Sequence, residues 1–311
     1  MDDLYQFVRN WSDFLPLADN GLSYIREFQM LIDTNIYGEI FVQTEPGLSW
    51  TRHLANVRRN LMTSAKSKQR IAKWVENPRI NIDDYVVPEG GFASFNDFFV
   101  RDLKQPRHVT RPDNDAIVVS PADCLVMMMG VDFTDSSLIT TKVGQNLKVD
   151  QLLGYSKYAD KFIGGTGLRC ILTPTDYHHY HAPVNGEIVE SRETVDGVLY
   201  GGVPGPKAVD NITNFQRGYY IYKIKEFGYV AMIPVGFATI GSVVFEDKYQ
   251  HIDDDKPVKI TKCEKVGHFE YGGSLVMMLF EPDKFEMLSV EQGSRIGELR
   301  HTLGEVTKME Q

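Results

Sequence analysis

Apolar positions early in the chain recur at helical spacing; from about residue 115 they gather into short runs instead. "GLSYIREFQMLIDTN" (21–35) and "TRHLANVRRNLMTSAKSKQRIAKWVENP" (51–78) carry the helical pattern. The second places Leu54, Val57, Leu61 and Ala65 on one stripe, and Asn77-Pro78 ends it. "GFASFNDFFVRDLKQPRHVTRP" (91–112) predicts a short helix, capped by Ser94 with Asp97 three residues later and closed by Pro106 and Pro112. Beyond Ile117 the β-branched runs are short and cut by glycine, as in "HAPVNGEIVES" and "HFEYGGSLVMMLF". The pattern predicts an α+β chain: a helical N-terminal region over 1–90, then a β-rich domain of short strands over 91–311, barrel- or sandwich-hybrid-like.

Gly228–Phe245, "GYVAMIPVGFATIGSVVF", is uncharged and long enough to raise a membrane span. Pro234, Gly236, Gly241 and the β-branched residues favour two buried strands meeting near Pro234.

Composition narrows the function classes. With 311 residues the chain can bury a sizeable core, and a net charge of −9 argues against a nucleic-acid binder. Cys124, Cys170 and Cys263 are far apart and form no CxxC pair, so neither a disulfide framework nor a zinc site is expected. A reducing cytoplasm is the expected setting, and "MDDLYQFVRNWSDFL" does not have the pattern of a signal peptide. One stretch departs from the acidic balance. Thr51–Val75 carries Arg52, Arg58, Arg59, Lys66, Lys68, Arg70 and Lys73 and no acid. A solvated helix face is the plain reading; peripheral contact with an anionic membrane surface is the alternative.

Four stretches could carry chemistry. "SPADC" puts Asp123 between apolar runs, where an acid is costly unless partnered, although an Asp after Ser-Pro also suits a turn. "TPTDYHHYHAP" packs Asp176, His178, His179 and His181 together. In an extended chain His179 and His181 share a face and His178 points away, and no helical His pair supplements them, so no metal site is expected. "PVGFATIGSV" is a glycine-bent pair of runs. "FEYGGSL" sets two glycines and Ser274 inside a strand pattern, either as a bulge or as a backbone bent for attack by the serine on its own preceding carbonyl. A Ser-His-Asp hydrolase is a further reading, but Ser274 lacks the GxSxG elbow.

Taken in order, "SFNDFFVRDLK", "VVSPADCLV", "DYHHYHAPVNG", "VGFATIGSV" and "VGHFEYGGS" resemble five motifs of the phosphatidylserine decarboxylase family, over about two-thirds of the chain from Phe92 onward. The resemblance implies a proenzyme that cuts itself between Gly273 and Ser274 and converts Ser274 into a covalent pyruvoyl cofactor. The two pieces, the α and β chains of one precursor, would stay partners, and oligomers are compatible with it. It implies His181 as base and Asp123 as the acid that orients it. His178 is the candidate for returning a proton after CO₂ leaves, with His181 as the alternative. His179 stands where the family usually has Arg. Glycine before the serine suits the chemistry, because a β-carbon there would hinder attack. Cys124 replaces a glycine of the family's Asp-Gly motif, and "NITNFQRGYY" lacks the Asn-Glu-Arg usual in lipid-acting members.

Three functions follow as expectations. The first is decarboxylation of phosphatidylserine, a phospholipid amine, and the second is the same chemistry on a free amino acid, aromatic ones included. The third is a non-catalytic carrier module, since "HAPVNGEIVE" and the last strand run resemble biotinyl/lipoyl hammerhead strands, although no Met-Lys-Met tip appears.

Overall fold

The computed structural model describes residues 36–109, 111–130, 139–140, 146–147, 149–195, 216–236, 242–271, 274–287 and 295–299. The helix expected over 21–35 and the scissile-side Gly273 lie outside them.

A strand with both faces covered reads as a continuous apolar run, and "SLVMMLF" is one. Leu275, Met277 and Leu279 pack into one core and Val276, Met278 and Phe280 into another, all six buried. Each such side chain contributes on the order of 2 kcal/mol on burial. This strand therefore belongs in the middle of a sheet, and that is where it lies.

The described strands are β1 (Ile117–Val119), β2 (Leu125–Gly130), β3 (Ile139–Thr140), β4 (Asn146–Leu147), β5 (Thr166–Leu172), β6 (His179–His181), β7 (Gly186–Val195) and β8 (Arg217–Ile224). They continue with β9 (Gly228–Gly236), β10 (Val243–Phe245), β11 (His251–Ile252), β12 (Val258–Ile260), β13 (Lys265–Phe269), β14 (Ser274–Phe280), β15 (Phe285–Met287) and β16 (Arg295–Leu299). The large sheet runs β11-β7-β8-β9-β14-β5-β2, with β12 also on β7, and every pairing is antiparallel. A second sheet, β10-β13-β6, supplies Val243, Phe245, Val266, Phe269 and Tyr180 to the core that also holds Val276, Met278 and Phe280. Val149, Leu152, Leu153 and Phe162 join the core on the other side. Two sheets sharing one core, with helices beside them, make the α+β architecture the sequence predicts.

Pro234 does not divide two strands, contrary to the sequence expectation. It sits inside β9 opposite Val276, and the ladder to β8 skips Gly218 and Tyr219 beside it, which accommodates the missing N–H. No helix among the described residues is long and apolar enough to cross a membrane.

In the helical part, α1 (Ile36–Gln43) precedes α2 (Gly47–Thr63), a 3₁₀ segment Ala65–Arg70, α3 (Ile71–Val75) and α4 (Phe95–Phe99). The face of α2 turned inward carries Trp50, Arg58 and Met62, so the expected stripe is displaced: Val57 is 49% exposed and Ala65 falls in the 3₁₀ turn. A buried arginine reads as polar and hides the true face from periodicity. Ser94 caps α4 as predicted, accepting the Asp97 N–H at 3.1 Å, while the Asp97 carboxylate accepts from Ala93 N–H at 2.6 Å. Met62, Trp74, Phe92, Phe95, Phe98 and Phe99 form a third core, and Tyr271, from the chain between β13 and β14, is part of it.

Candidate active site

Three connections step from one sheet to the other at the same corner. β5 ends at Leu172 and leads through residues 173–178 to β6; β9 ends at Gly236, ahead of β10; β13 ends at Phe269, ahead of β14. Register brings them together, because Ser274 pairs with Leu172 on one side and with Gly236 on the other. β2 starts at this end too, with Leu125 opposite Ile171, which places Asp123 and Cys124 beside it. Four motifs spread over 150 residues of sequence thus share one end of the large sheet. Sequence alone could order these motifs but could not make them neighbours.

The histidines leave the strand in different directions. Tyr180 is buried in the core, so His179 and His181, its neighbours in β6, occupy the opposite face. His178, fully buried just before β6, donates from Nδ1 to the Asp176 carbonyl at 2.8 Å and lies against the Phe99 ring at 3.8 Å between centroids. Its own carbonyl accepts the Phe269 N–H at 2.9 Å. The loop carrying it is pinned by Asp176, whose carboxylate accepts the Thr173 N–H, and by Arg101, which donates to the Thr175 carbonyl at 3.1 Å. Burial raises the Asp176 pKa, and the Thr173 bonds offset part of that rise. His179 donates to the Val100 carbonyl at 2.8 Å and stacks on Tyr177, and burial first of all pushes its pKa down to about 3.

His181 is held by backbone. Its N–H donates to the Pro121 carbonyl at 2.7 Å, tying it to the "SPADC" segment, and Nδ1 donates to the Cys263 carbonyl at 2.8 Å. A carbonyl only accepts, so the neutral ring carries its proton on Nδ1 and presents Nε2 as a base. Nε2 is buried and meets no hydrogen-bond partner among the described residues. Burial lowers the pKa; the Cys263 bond and the Asp123 charge act the other way. Cys263 reaches this position at φ +61°, a left-handed conformation unusual for a residue with a β-carbon. Its turn is fixed by the Cys263 N–H on the Ala182 carbonyl at 2.9 Å and by Lys262, buried, donating to the Arg111 carbonyl at 3.1 Å.

Asp123 is half-buried, and its hydrogen-bonding partner is Arg107, which reaches it through Nε at 3.3 Å and through the second guanidinium nitrogen at 2.5 Å. The bond that orients His181 therefore comes from Cys263, and Asp123 acts on the ring through its charge. Ser274 is fixed in register at the start of β14; Gly273 lies outside the described residues. Sequence reasoning meets Cys263 only as one of three unpaired cysteines and gives no signal for Arg107. A backbone carbonyl leaves no trace in residue identity, and Arg107 sits in a segment full of charges.

A family model described as phosphatidylserine decarboxylase matches residues 95–302, which takes in every segment meeting at this corner. The chain belongs to the phosphatidylserine decarboxylase family. It is 32% identical over 228 residues to a phosphatidylserine decarboxylase proenzyme of Fusobacterium nucleatum, covering 72% of this chain and 71% of that one. Against the Clostridium novyi proenzyme it is 32% identical over 250 residues, covering 78% and 80%. Phosphatidylserine decarboxylase proenzyme 3 of Schizosaccharomyces pombe is 34% identical over 251 residues, 75% of this chain, and the match spans only 25% of that longer relative. Asp123, His178, His181 and Ser274 all lie within the span matched by this carboxy-lyase family.

Proposed function

We propose that the chain cuts itself between Gly273 and Ser274 and uses the pyruvoyl group so formed to decarboxylate phosphatidylserine. The observation that carries this is His181 Nε2, a buried basic nitrogen without a partner among the described residues, in a family whose relatives are named proenzymes. Such an atom is costly unless a donor meets it, and the Ser274 hydroxyl fits that need.

On this reading His181 Nε2 takes the Ser274 hydroxyl proton as Oγ adds to the Gly273 carbonyl carbon. The C–N bond breaks as the Ser274 nitrogen takes that proton from His181, and an ester is left. Loss of the Ser274 Cα proton and of the Cβ–O bond frees the Gly273 carboxylate and leaves dehydroalanine. Water then replaces the nitrogen, which departs as ammonia. The pyruvoyl carbonyl, once present, is the electron acceptor for loss of CO₂ from an amine substrate. His178, its Nδ1–H engaged by the Asp176 carbonyl, takes on Nε2 the proton that the substrate ammonium gives up and delivers it to the carbon that CO₂ leaves. Asp123 favours the charged state of His181 as it takes up the proton.

The α and β chains remain partners, and membrane contact is peripheral, through Lys66, Lys68 and Lys73, which are exposed. A free amino acid as substrate is the second reading. It is favoured by the withdrawal of one cation from any lipid-facing surface, since Arg58 is buried, and by the partial balancing of another, since Arg59 lies 3.8 Å from Glu270. Mass spectrometry of the purified chain tests the cleavage. Pieces 1–273 and 274–311 are expected, the latter with a pyruvoyl end, and Ser274→Ala should stay whole. An intact wild-type chain, or a cleaved Ser274→Ala chain, would refute it. CO₂ release from phosphatidylserine vesicles, set beside release from free amino acids, decides the substrate.

A further inference from the structure

Tyr271 lies three residues before Ser274, yet its surroundings belong to the helical part. Its backbone N–H donates to Asn96 Oδ1 at 2.9 Å in a buried contact. Its ring meets Phe95 at 5.3 Å and Phe99 at 5.4 Å, both edge-on. The guanidinium of Arg58, itself buried, lies 6.0 Å from the ring centroid, and Arg59 pairs with the preceding residue, Glu270. The helix α4, which supplies Asn96, Phe95 and Phe99, is itself fixed: the Phe95 N–H donates to Ser67 Oγ at 2.7 Å, and that hydroxyl in turn donates to the Met62 carbonyl.

We infer that α4, with Asn96 as the positioning residue, clamps the chain on the upstream side of the scissile bond and so sets the geometry of self-cleavage. This rests on the self-cleavage reading above. On the downstream side Ser274 is paired to two strands. Between these fixed points the sequence places only Gly272 and Gly273, the residue type that tolerates a distorted backbone. The same helix also presents Phe99 to His178, so one five-residue element touches both the segment to be cut and a histidine of the site. Through Ser67, which holds α4, the basic 51–75 stretch is tied to the same chemistry. A misplacement of about 1 Å can slow a reaction roughly 100-fold.

The test compares the full-length wild type with Asn96→Leu and Asn96→Asp, following conversion to pieces 1–273 and 274–311 over time. Asn96→Leu removes the acceptor at similar size and should process about 100-fold more slowly. Its intact chain should resist hydroxylamine, because the ester never accumulates. Asn96→Asp keeps the acceptor and should recover most of the rate. Wild-type processing in Asn96→Leu overturns the clamp, as does no rescue in Asn96→Asp. Release of the pieces by hydroxylamine would put the defect after the acyl shift and overturn it too. In a Ser274→Ala background, where nothing is cut, the Tyr271 amide should lose hydrogen-exchange protection on Asn96→Leu, and retained protection overturns the inference. A wild-type chain that never cleaves defeats the underlying reading, and the clamp with it.

Discussion

His178 and His181 stand three residues apart, and each donates Nδ1–H to a backbone carbonyl at 2.8 Å. Beyond that their surroundings diverge. His178 is sealed against Phe99 of the helical part, whereas His181 is half-buried on the turn holding Cys263, within reach of the Asp123 charge. The difference teaches that two imidazoles three residues apart, one just before β6 and one at its end, can share a tautomer yet meet different neighbours, which suits the separate tasks proposed for them. Tautomer is set by backbone, and on the proposed function the task follows from what faces Nε2.

Several substitutions would break or sharpen that comparison. The largest effect is expected for His181→Ala, which removes the base for Ser274. Conversion to the two pieces should slow by roughly 10³-fold, within the range for general-base loss, and intact precursor should dominate the mass spectrum. Complete processing at the normal rate would assign His181 no part in maturation. Next comes His178→Ala, where the two pieces should form but CO₂ release should fall by about 10²-fold. An uncut His178→Ala chain would erase the division of labour.

The smallest effect concerns acidity. Because His181 must be neutral to accept a proton, and burial lowers its pKa below the ordinary value, processing should stay flat above about pH 6.5 and decline only on the acid side of that. Asp123 favours the imidazolium, so Asp123→Asn should move the decline further toward acid, and only modestly because the carboxylate is partly exposed and screened. Processing should also slow less than in His181→Ala, since the tautomer is held by Cys263. A shift toward higher pH would contradict this placement of the charge.

Much of the fold was legible because its signals are local. The Ser94–Asp97 cap is a four-residue pattern, and the change from helical to strand spacing near residue 115 precedes β1 at Ile117. Other features depend on partners distant in sequence. Nothing in "PVG" says that Gly236 will sit beside Ser274, and Pro234 reads as a break because a strand interior normally needs its N–H. Arg58 reads as solvated because its partner, Tyr271, is 213 positions away in the numbering. At the site, residue types marked the histidines and the serine, whereas the carbonyl of Cys263 and the side chain of Asn96 act through geometry that composition does not record.

β14 is an interior strand, its seven residues laddered to β9 and to β5 along their whole length. A cut just before it would therefore open the chain without opening the sheet. The short C-terminal piece also brings β15 and β16, and β16 is stitched to β1 near the other end of the β-rich part. Once nicked, such a molecule behaves as a single woven body: its two pieces separate only by unfolding, and the new chain end stays where the fold had already put it.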